Sequence, residues 1–302
     1  MRNFRSRNNR KQCGIESFGR NSALKHRAFI EGWSAGGATP SGAMRNAESD
    51  GSPHAAGMRT SRCECVEAGV IDLWSLHLQP HDAQADLSQV LDVLGEEDRR
   101  DAQRLRAGAL RAAFLAGRRA QRCILSRYTG QAPQDLQVDR TGQGKPVLRH
   151  HSDVHFSFSR RGAQALLAVA TMPVGVDLEV HRALWNEGEL MAAIGCDAER
   201  RRIDALPASQ QHAAVMRCWT AKEACVKAAG WGLALDPKSF DVGPLVMDAA
   251  APSWTLSLPA LKAGEPTSWS VRSIDCASGG WAALAASANA SGARVAHKFW
   301  VA

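Results

Sequence analysis

The chain has 302 residues, 45% of them hydrophobic and 22% charged, enough for one large domain or two smaller ones with real cores. That composition excludes a disordered or collagen-like chain, and no apolar run reaches the ~18 residues that a membrane-spanning helix needs, the nearest being Gln164 to Val176. The formal net charge of +7 is unevenly placed: residues 1–57 hold nine Lys or Arg against four acids, so residues 58–302 carry only +2.

Residues 1–65 are rich in Ser, Asn, Gly and Arg and lack sustained helical or strand periodicity. Such a segment buries too little apolar surface to offset its ordering entropy and is expected to be a disordered basic leader. Its lack of an apolar stretch argues against a secretory signal, and its Arg/Ser-rich start weakly resembles an organelle transit peptide. An upstream start, with translation beginning near Met44 or Met58, explains the same composition. The eight cysteines (Cys13, Cys63, Cys65, Cys123, Cys196, Cys218, Cys225 and Cys276) form no CxxC pair and no His/Cys metal spacing. The expectation is a reduced, cytoplasmic protein.

From Val70 the texture changes. Val70–Leu78 reads as a strand and Leu87–Arg106 as a polar helix with a Leu87/Val90/Leu91/Leu94 stripe. Arg111–Tyr128 reads as a second helix, ended by Gly130 as its C-cap. Strands follow at Leu136–Asp139, Val147–Arg149, His155–Ser159 and Ala165–Ala170, with Thr141-Gly142-Gln143-Gly144 as a turn. A second half opens with the strand Gly175–Val180, then helices near Glu187–Ala193 and Ser209–Ala229. Strands are expected at Ser239–Val242, Trp254–Leu258, Trp269–Ile274, Ala282–Ala286 and Arg294–Trp300. Helices and strands mix without regular βαβ alternation, so the fold class is α+β.

Chemistry first shows in Gly175-Val176-Asp177-Leu178-Glu179-Val180. Side chains alternate along a strand, so Asp177 and Glu179 share one face, roughly 7 Å apart, and repel unless solvated or bridged by a cation. An ordinary half-exposed strand has the same alternation. In the helix that follows, Val215, Met216, Trp219 and Val226 form an apolar stripe, and Glu223 falls inside it, at about +40° from Trp219. An unpaired carboxylate there would cost several kcal/mol. Glu223 therefore wants a cation, either Lys227 one turn on or a metal ion. Together Asp177, Glu179 and Glu223 offer three carboxylates to a hard divalent ion. Because Mg²⁺ favours few carboxylates, several waters and substrate phosphate oxygens, the set points to a phosphate-bearing substrate.

Gly175-Val-Asp-Leu-Glu179, followed about forty residues later by Trp219-Thr-Ala-Lys-Glu-Ala-Cys-Val-Lys-Ala-Ala-Gly-Trp-Gly-Leu233, resembles the paired signature of the 4′-phosphopantetheinyl transferases, G-[IV]-D-[LIV]-E and W-[ST]-x-K-E-[AS]-x-x-K-x-x-G-x-G-L. Gly144-Lys145-Pro146 resembles the family's G-K-P turn, and His155-Phe156-Ser157-Phe158-Ser159 stands where the family has F-N-x-S-H-S. The likeness covers roughly residues 70–290, a length similar to the surfactin-type group.

The resemblance implies two pseudo-symmetric α/β halves, at residues 70–174 and 175–302, with the active site between them. It implies transfer of the phosphopantetheine arm of coenzyme A to a serine of an apo acyl, peptidyl or polyketide carrier protein, releasing 3′,5′-ADP. Mg²⁺ would be held by Asp177, Glu179 and Glu223. Glu223 would be the general base and Lys227 would neutralise phosphate charge and protonate the leaving oxygen. Gly144, Lys145, Pro146, Ser159, Arg160 and Lys227 would contact coenzyme A. Lys222 would serve here or in the scaffold. Of the basic residues near the first long helix, Arg106, Arg111 and Arg118, Arg111 is the choice for the 3′-phosphate. The family's Asn is Ser157 here and its His is Arg160, followed by Arg161. Arginine serves an anion with a fork and no pH dependence. The expected protein is monomeric and binds neither nucleic acid nor membrane. Two rival readings use the same residues: a catalytically altered homologue that binds carrier proteins, and a Mg²⁺-dependent nuclease.

Overall fold

The computed structural model describes residues 64, 66–78, 87–105, 108–180, 186–248, 250–251, 253–276, 279–288 and 292–300. Residues 1–63 and 65 of the basic leader, and Arg106, lie outside the described residues.

Strand β1 (Val70–His77) precedes helices α1 (Leu87–Asp92), α2 (Glu96–Arg104) and α3 (Ala109–Thr129). A short hairpin, β2 (Val138–Arg140) and β3 (Pro146–Leu148), leads to β4 (His155–Arg161), β5 (Gln164–Ala170) and β6 (Val174–Glu179). Helices α4 (Glu187–Ile194), α5 (Asp197–Asp204) and α6 (Ala208–Ala229) follow, then β7 (Trp254–Ser257), β8 (Ser268–Ile274), β9 (Trp281–Ser287) and β10 (Arg294–Trp300).

Two four-stranded sheets result, ordered β10-β1-β5-β4 and β6-β9-β8-β7, the second wholly antiparallel. They pack on each other through alternate residues: Ile71, Leu73, Leu166 and Ala168 of the first meet Val176, Leu178, Ala282 and Leu284 of the second. The outer face of the first sheet carries α3, whose Ala120, Ile124 and Leu125 join Trp74, Phe156, Leu167 and Val169. The outer face of the second carries α6, whose Val215, Met216 and Trp219 join Trp269, Val271, Ala283 and Ala285. The order of layers is helix, sheet, sheet, helix, an α+β fold with a helix-on-sheet unit on either side. The division at residue 175 differs from the sheets in one respect: β10, from the end of the chain, pairs parallel with β1 of the first sheet.

Two expectations are corrected. The single helix over 87–106 is broken at Gly95, because the Arg122 guanidinium passes beneath it: a Cβ there would stand 2.3 Å from Arg122 Nη2. Arg122 continues to Asp98 and to the carbonyls of Pro133 and Leu136 at 2.7 and 2.9 Å, while Glu96, Glu97 and Asp98 favour a new helix N-terminus. Ser239–Val242 is not a strand but lies between two 3₁₀ turns, Pro237–Ser239 and Gly243–Val246. Its carbonyls turn inward: Pro237 O and Phe240 O each accept from Lys222 Nζ at 2.6 Å. Helix α5 starts where Glu199 Oε2 accepts from Cys196 N at 2.9 Å, a capping box built on an uncommon cap residue. No helix among the described residues is long and apolar enough to cross a membrane.

Candidate active site

Strands β4 and β6 border different sheets and meet through side chains. Ser157 Oγ accepts from Val176 N at 3.0 Å, and Ser159 Oγ accepts from Leu178 N at 3.2 Å. The two hydroxyls satisfy amides of β6 that no strand pairs on that side. On the outer face of β6, Gly175 touches α6 so closely that a Cβ would stand 2.1 Å from Ala224 O and 2.3 Å from Ala228 N. This contact draws Asp177 and Glu179 under α6, where both are buried, at 2% and 3% exposure.

Each acid meets a cation. Lys227 Nζ lies 2.6 Å from Asp177 Oδ1 and also reaches Val176 O at 3.3 Å and Ser159 Oγ at 3.4 Å. Ser159 donates to the same Oδ1 at 2.9 Å, whereas Asp177 Oδ2 is buried with no hydrogen-bond partner. Glu179 receives a fork: Arg161 Nε donates to Oε2 at 2.7 Å and Nη2 to Oε1 at 2.6 Å, with Trp219 Nε1 adding a third donor at 3.1 Å. Glu223, half-buried on α6, faces the same cluster. Burial holds the Glu223 carboxyl well above the usual carboxylate range, with Lys227 opposing and the Asp177 charge adding to the rise. Burial raises Glu179 likewise, against the pull of Arg161.

Above the acids opens a cavity of about 460 Å³. Phe114, Arg118 and Gln121 of α3 form one wall and Glu223, Val226 and Lys227 of α6 the other. Gln143 to Pro146, Phe156 to Phe158, Arg160, Gly230, Gly232 and Leu233 complete it. The turn at 143–146 is clamped onto the end of α6: Gly230 caps the helix at φ 75°, and a Cβ on Gly232 would stand 2.6 Å from Gln143 O. Burial lowers the pKa of both Arg118 and Arg160; Arg161 and Arg118 lower Arg160 further. Two guanidinium groups thus reach the lining, that of Arg118 also pairing with Asp98 at 3.3 Å.

The residues expected at the site fall into three groups. Glu223, Lys227, Gly144, Lys145, Pro146 and Arg160 line the cavity, and Asp177 and Glu179 lie buried beside it. Lys145 lines it too, its ammonium donating to Ala228 O at 2.7 Å and Val174 O at 3.4 Å, and burial lowers its pKa to about 8. Ser159 and Arg111 are not among the residues that line it. Ser159 is 5% exposed and is not part of the lining; alternation along β4 turns it onto β6, where it bonds Asp177. Arg118, two turns beyond Arg111 on α3, takes the place in the cavity that Arg111 does not. Sequence reasoning passed over Arg161, although period-two alternation from Ser157 and Ser159 puts it on the same side of β4. Lys222 stands in the core, 1% exposed, 2.9 Å from Glu199 Oε2. Cys196, Glu199 and Asp241 lie close enough together to suggest a metal cluster, but Lys222 and Arg202 already neutralise its two acids.

Residues 173–300, which hold β6, α6 and both acid motifs, match the model of the 4′-phosphopantetheinyl transferase superfamily. The 4′-phosphopantetheinyl transferase HetI of Nostoc sp. (strain PCC 7120) is 31% identical over 193 residues, spanning 62% of this chain and 81% of HetI. This chain belongs to the 4′-phosphopantetheinyl transferase superfamily. Psf-1 of Bacillus pumilus, another 4′-phosphopantetheinyl transferase, is 27% identical over 171 residues, or 56% of this chain and 72% of psf-1. Sfp of Bacillus subtilis is 26% identical over 121 residues, covering 40% and 53% of the two chains. Likeness to psf-1 and Sfp puts this phosphopantetheinyl transferase with the surfactin-type group.

Proposed function

We propose that the chain transfers the 4′-phosphopantetheine arm of coenzyme A to a serine hydroxyl of an apo acyl, peptidyl or polyketide carrier protein, releasing 3′,5′-ADP. The observation that carries this reading is the cavity itself, with Arg118, Arg160, Lys227 and the carboxylate of Glu223 on its walls. A polyanionic substrate fits the cations, and a divalent ion fits the acids.

The fit of Mg²⁺ rests on Asp177 Oδ2, a buried carboxylate oxygen with no hydrogen-bond partner, beside a second hard oxygen ligand in Glu223. Asp177 and Glu223 would hold the ion, with Glu179 closing the carboxylate cluster. When bound, Mg²⁺ supplies charge neutralisation for the phosphate oxygens of coenzyme A.

The protein's own groups do the rest. The Glu223 carboxylate accepts the proton of the carrier serine as its oxygen attacks phosphorus; its raised pKa brings it nearer neutrality, where a general base works best. Lys227, half-buried and fixed by Asp177, balances charge on the phosphoryl oxygens and gives a proton to the departing 3′,5′-ADP phosphate. Arg118 and Arg160 hold the anionic groups of coenzyme A, for which a guanidinium fork is suited. Gly144 and Pro146 shape the turn that borders the substrate. The enzyme so described is monomeric and cytoplasmic; the described cysteines, Cys123, Cys196, Cys218, Cys225 and Cys276, are all free thiols.

The test is carrier-dependent release of 3′,5′-ADP from coenzyme A, followed by chromatography with Mg²⁺ and with excess chelator. Release that needs both carrier and metal is expected. Release without carrier, or none with any carrier class, overturns the reading.

A further inference from the structure

The three acids of the site are not equivalent. Both oxygens of Glu179 are taken by the Arg161 fork and one also accepts from Trp219, so the carboxylate receives three donors. Asp177, two residues earlier on the same face, has an oxygen with no partner. Among the described residues, three ligand atoms within 4.8 Å of one another occur at Cys196, Glu199 and Asp241, and Asp177, Glu179 and Glu223 do not converge to that extent.

We propose that Arg161 withdraws Glu179 from metal coordination, so that the divalent ion is bound through two carboxylates, Asp177 and Glu223. This rests on the reading of the site as a metal-assisted transferase and says how its ligands are divided. A planar guanidinium matches a carboxylate in a two-point fork and keeps its charge throughout the working pH range. For Glu179 to reach an ion, at least one arm of this two-point fork must release, at a guanidinium only 27% exposed. Breaking a charge-assisted fork between partly buried groups is disfavoured. Arg161 comes from β4 and Glu179 from β6, so the fork also spans the seam between the sheets, beside the Ser157 and Ser159 bonds. The pair neutralises the second of two neighbouring acids, and a two-carboxylate ion keeps more positions for water and phosphate oxygens. Arg161 is therefore a positioning residue: it sets which acids serve the ion.

The test is direct binding of Mn²⁺ to the full chain, without coenzyme A or carrier, read from loss of the free-ion signal in electron paramagnetic resonance. Asp177→Asn and Glu223→Gln should each weaken binding by about 10-fold or more, whereas Glu179→Gln should stay within about 3-fold of the unmodified protein. Arg161→Ser frees Glu179 and removes a repelling charge, and should tighten Mn²⁺ binding by about 10-fold; adding Glu179→Gln should cancel that gain. Circular dichroism reports whether each variant folds, and Arg161→Ser decides alone if Glu179→Gln does not. Equal losses for Glu179→Gln and Asp177→Asn, or weaker binding by Arg161→Ser, overturn the division of ligands while leaving the metal site standing. Binding that neither Asp177→Asn nor Glu223→Gln changes, or no Mn²⁺ binding at all, contradicts the metal site and the division together.

Discussion

Lys227 of α6 and Asp177 of β6 meet at 2.6 Å through a single carboxylate oxygen, leaving the other oxygen of Asp177 buried and unpartnered. One contact thus locks helix to strand and keeps a ligand oxygen in reserve. Lys227→Met removes the charge but keeps most of the stem. It should lower the transfer rate by about 10²–10³-fold, the usual loss for a group that stabilises developing charge. Single-turnover transfer is the measurement, and a rate within a few-fold of the unmodified enzyme would remove Lys227 from the chemistry.

Gly175 sets the distance between that strand and helix. A methyl group there would stand 2.1 Å from Ala224 O, a backbone atom inside α6 that cannot swing aside. Gly175→Ala is expected to cost at least about 1–3 kcal/mol of stability by overpacking, and to reduce transfer by moving Asp177 away from Lys227. Gly142→Ala, where nothing lies within 4 Å, is the matched control and should be near neutral. Urea denaturation of both variants checks this.

Lys222 sits next to Glu223 in sequence but serves the core. Its ammonium is 1% exposed, held by Glu199, two carbonyls and the face of Phe240 at 4.4 Å. Removing one partner of a buried pair leaves an uncompensated charge, so Glu199→Gln should cost about 3–5 kcal/mol. Denaturant midpoints test this, and a loss below about 1 kcal/mol would contradict it.

Lys145 ties the 143–146 turn to the end of α6, and burial lowers its pKa to about 8. Between pH 8 and the ordinary lysine value of 10.5, the unfolded chain binds the proton that the folded chain has released. Stability from this group therefore rises with pH across that window and is lost as pH falls through 8. Relative to Lys145→Met, the unmodified protein should gain melting temperature from pH 8 to pH 10, as thermal unfolding at both values will show.

What could be read from the chain follows the range of the forces involved. The faces of β6 and α6, and the cap at Gly130, are local and periodic, so the sequence alone places Asp177 and Glu179 on one face of a strand and Glu223 on the apolar stripe of a helix. The Arg161–Glu179 fork joins strands of different sheets, and only the alternation along β4 hinted at it. The break at Gly95 follows from Arg122 of another helix, and the turns near Phe240 from the need of Lys222 for carbonyls. These are tertiary demands that override local propensity. The parallel pairing of β10 with β1 joins nearly opposite ends of the described chain and leaves no local trace.

The most direct measurement is the intact mass of an apo carrier protein after incubation with coenzyme A, Mg²⁺ and the enzyme, run beside Glu223→Gln. The account predicts a gain of one phosphopantetheine mass with the unmodified enzyme, and none with a folded Glu223→Gln over the same time. An equal gain with Glu223→Gln, or no gain across fatty-acid, peptidyl and polyketide carriers with the unmodified enzyme, would contradict it.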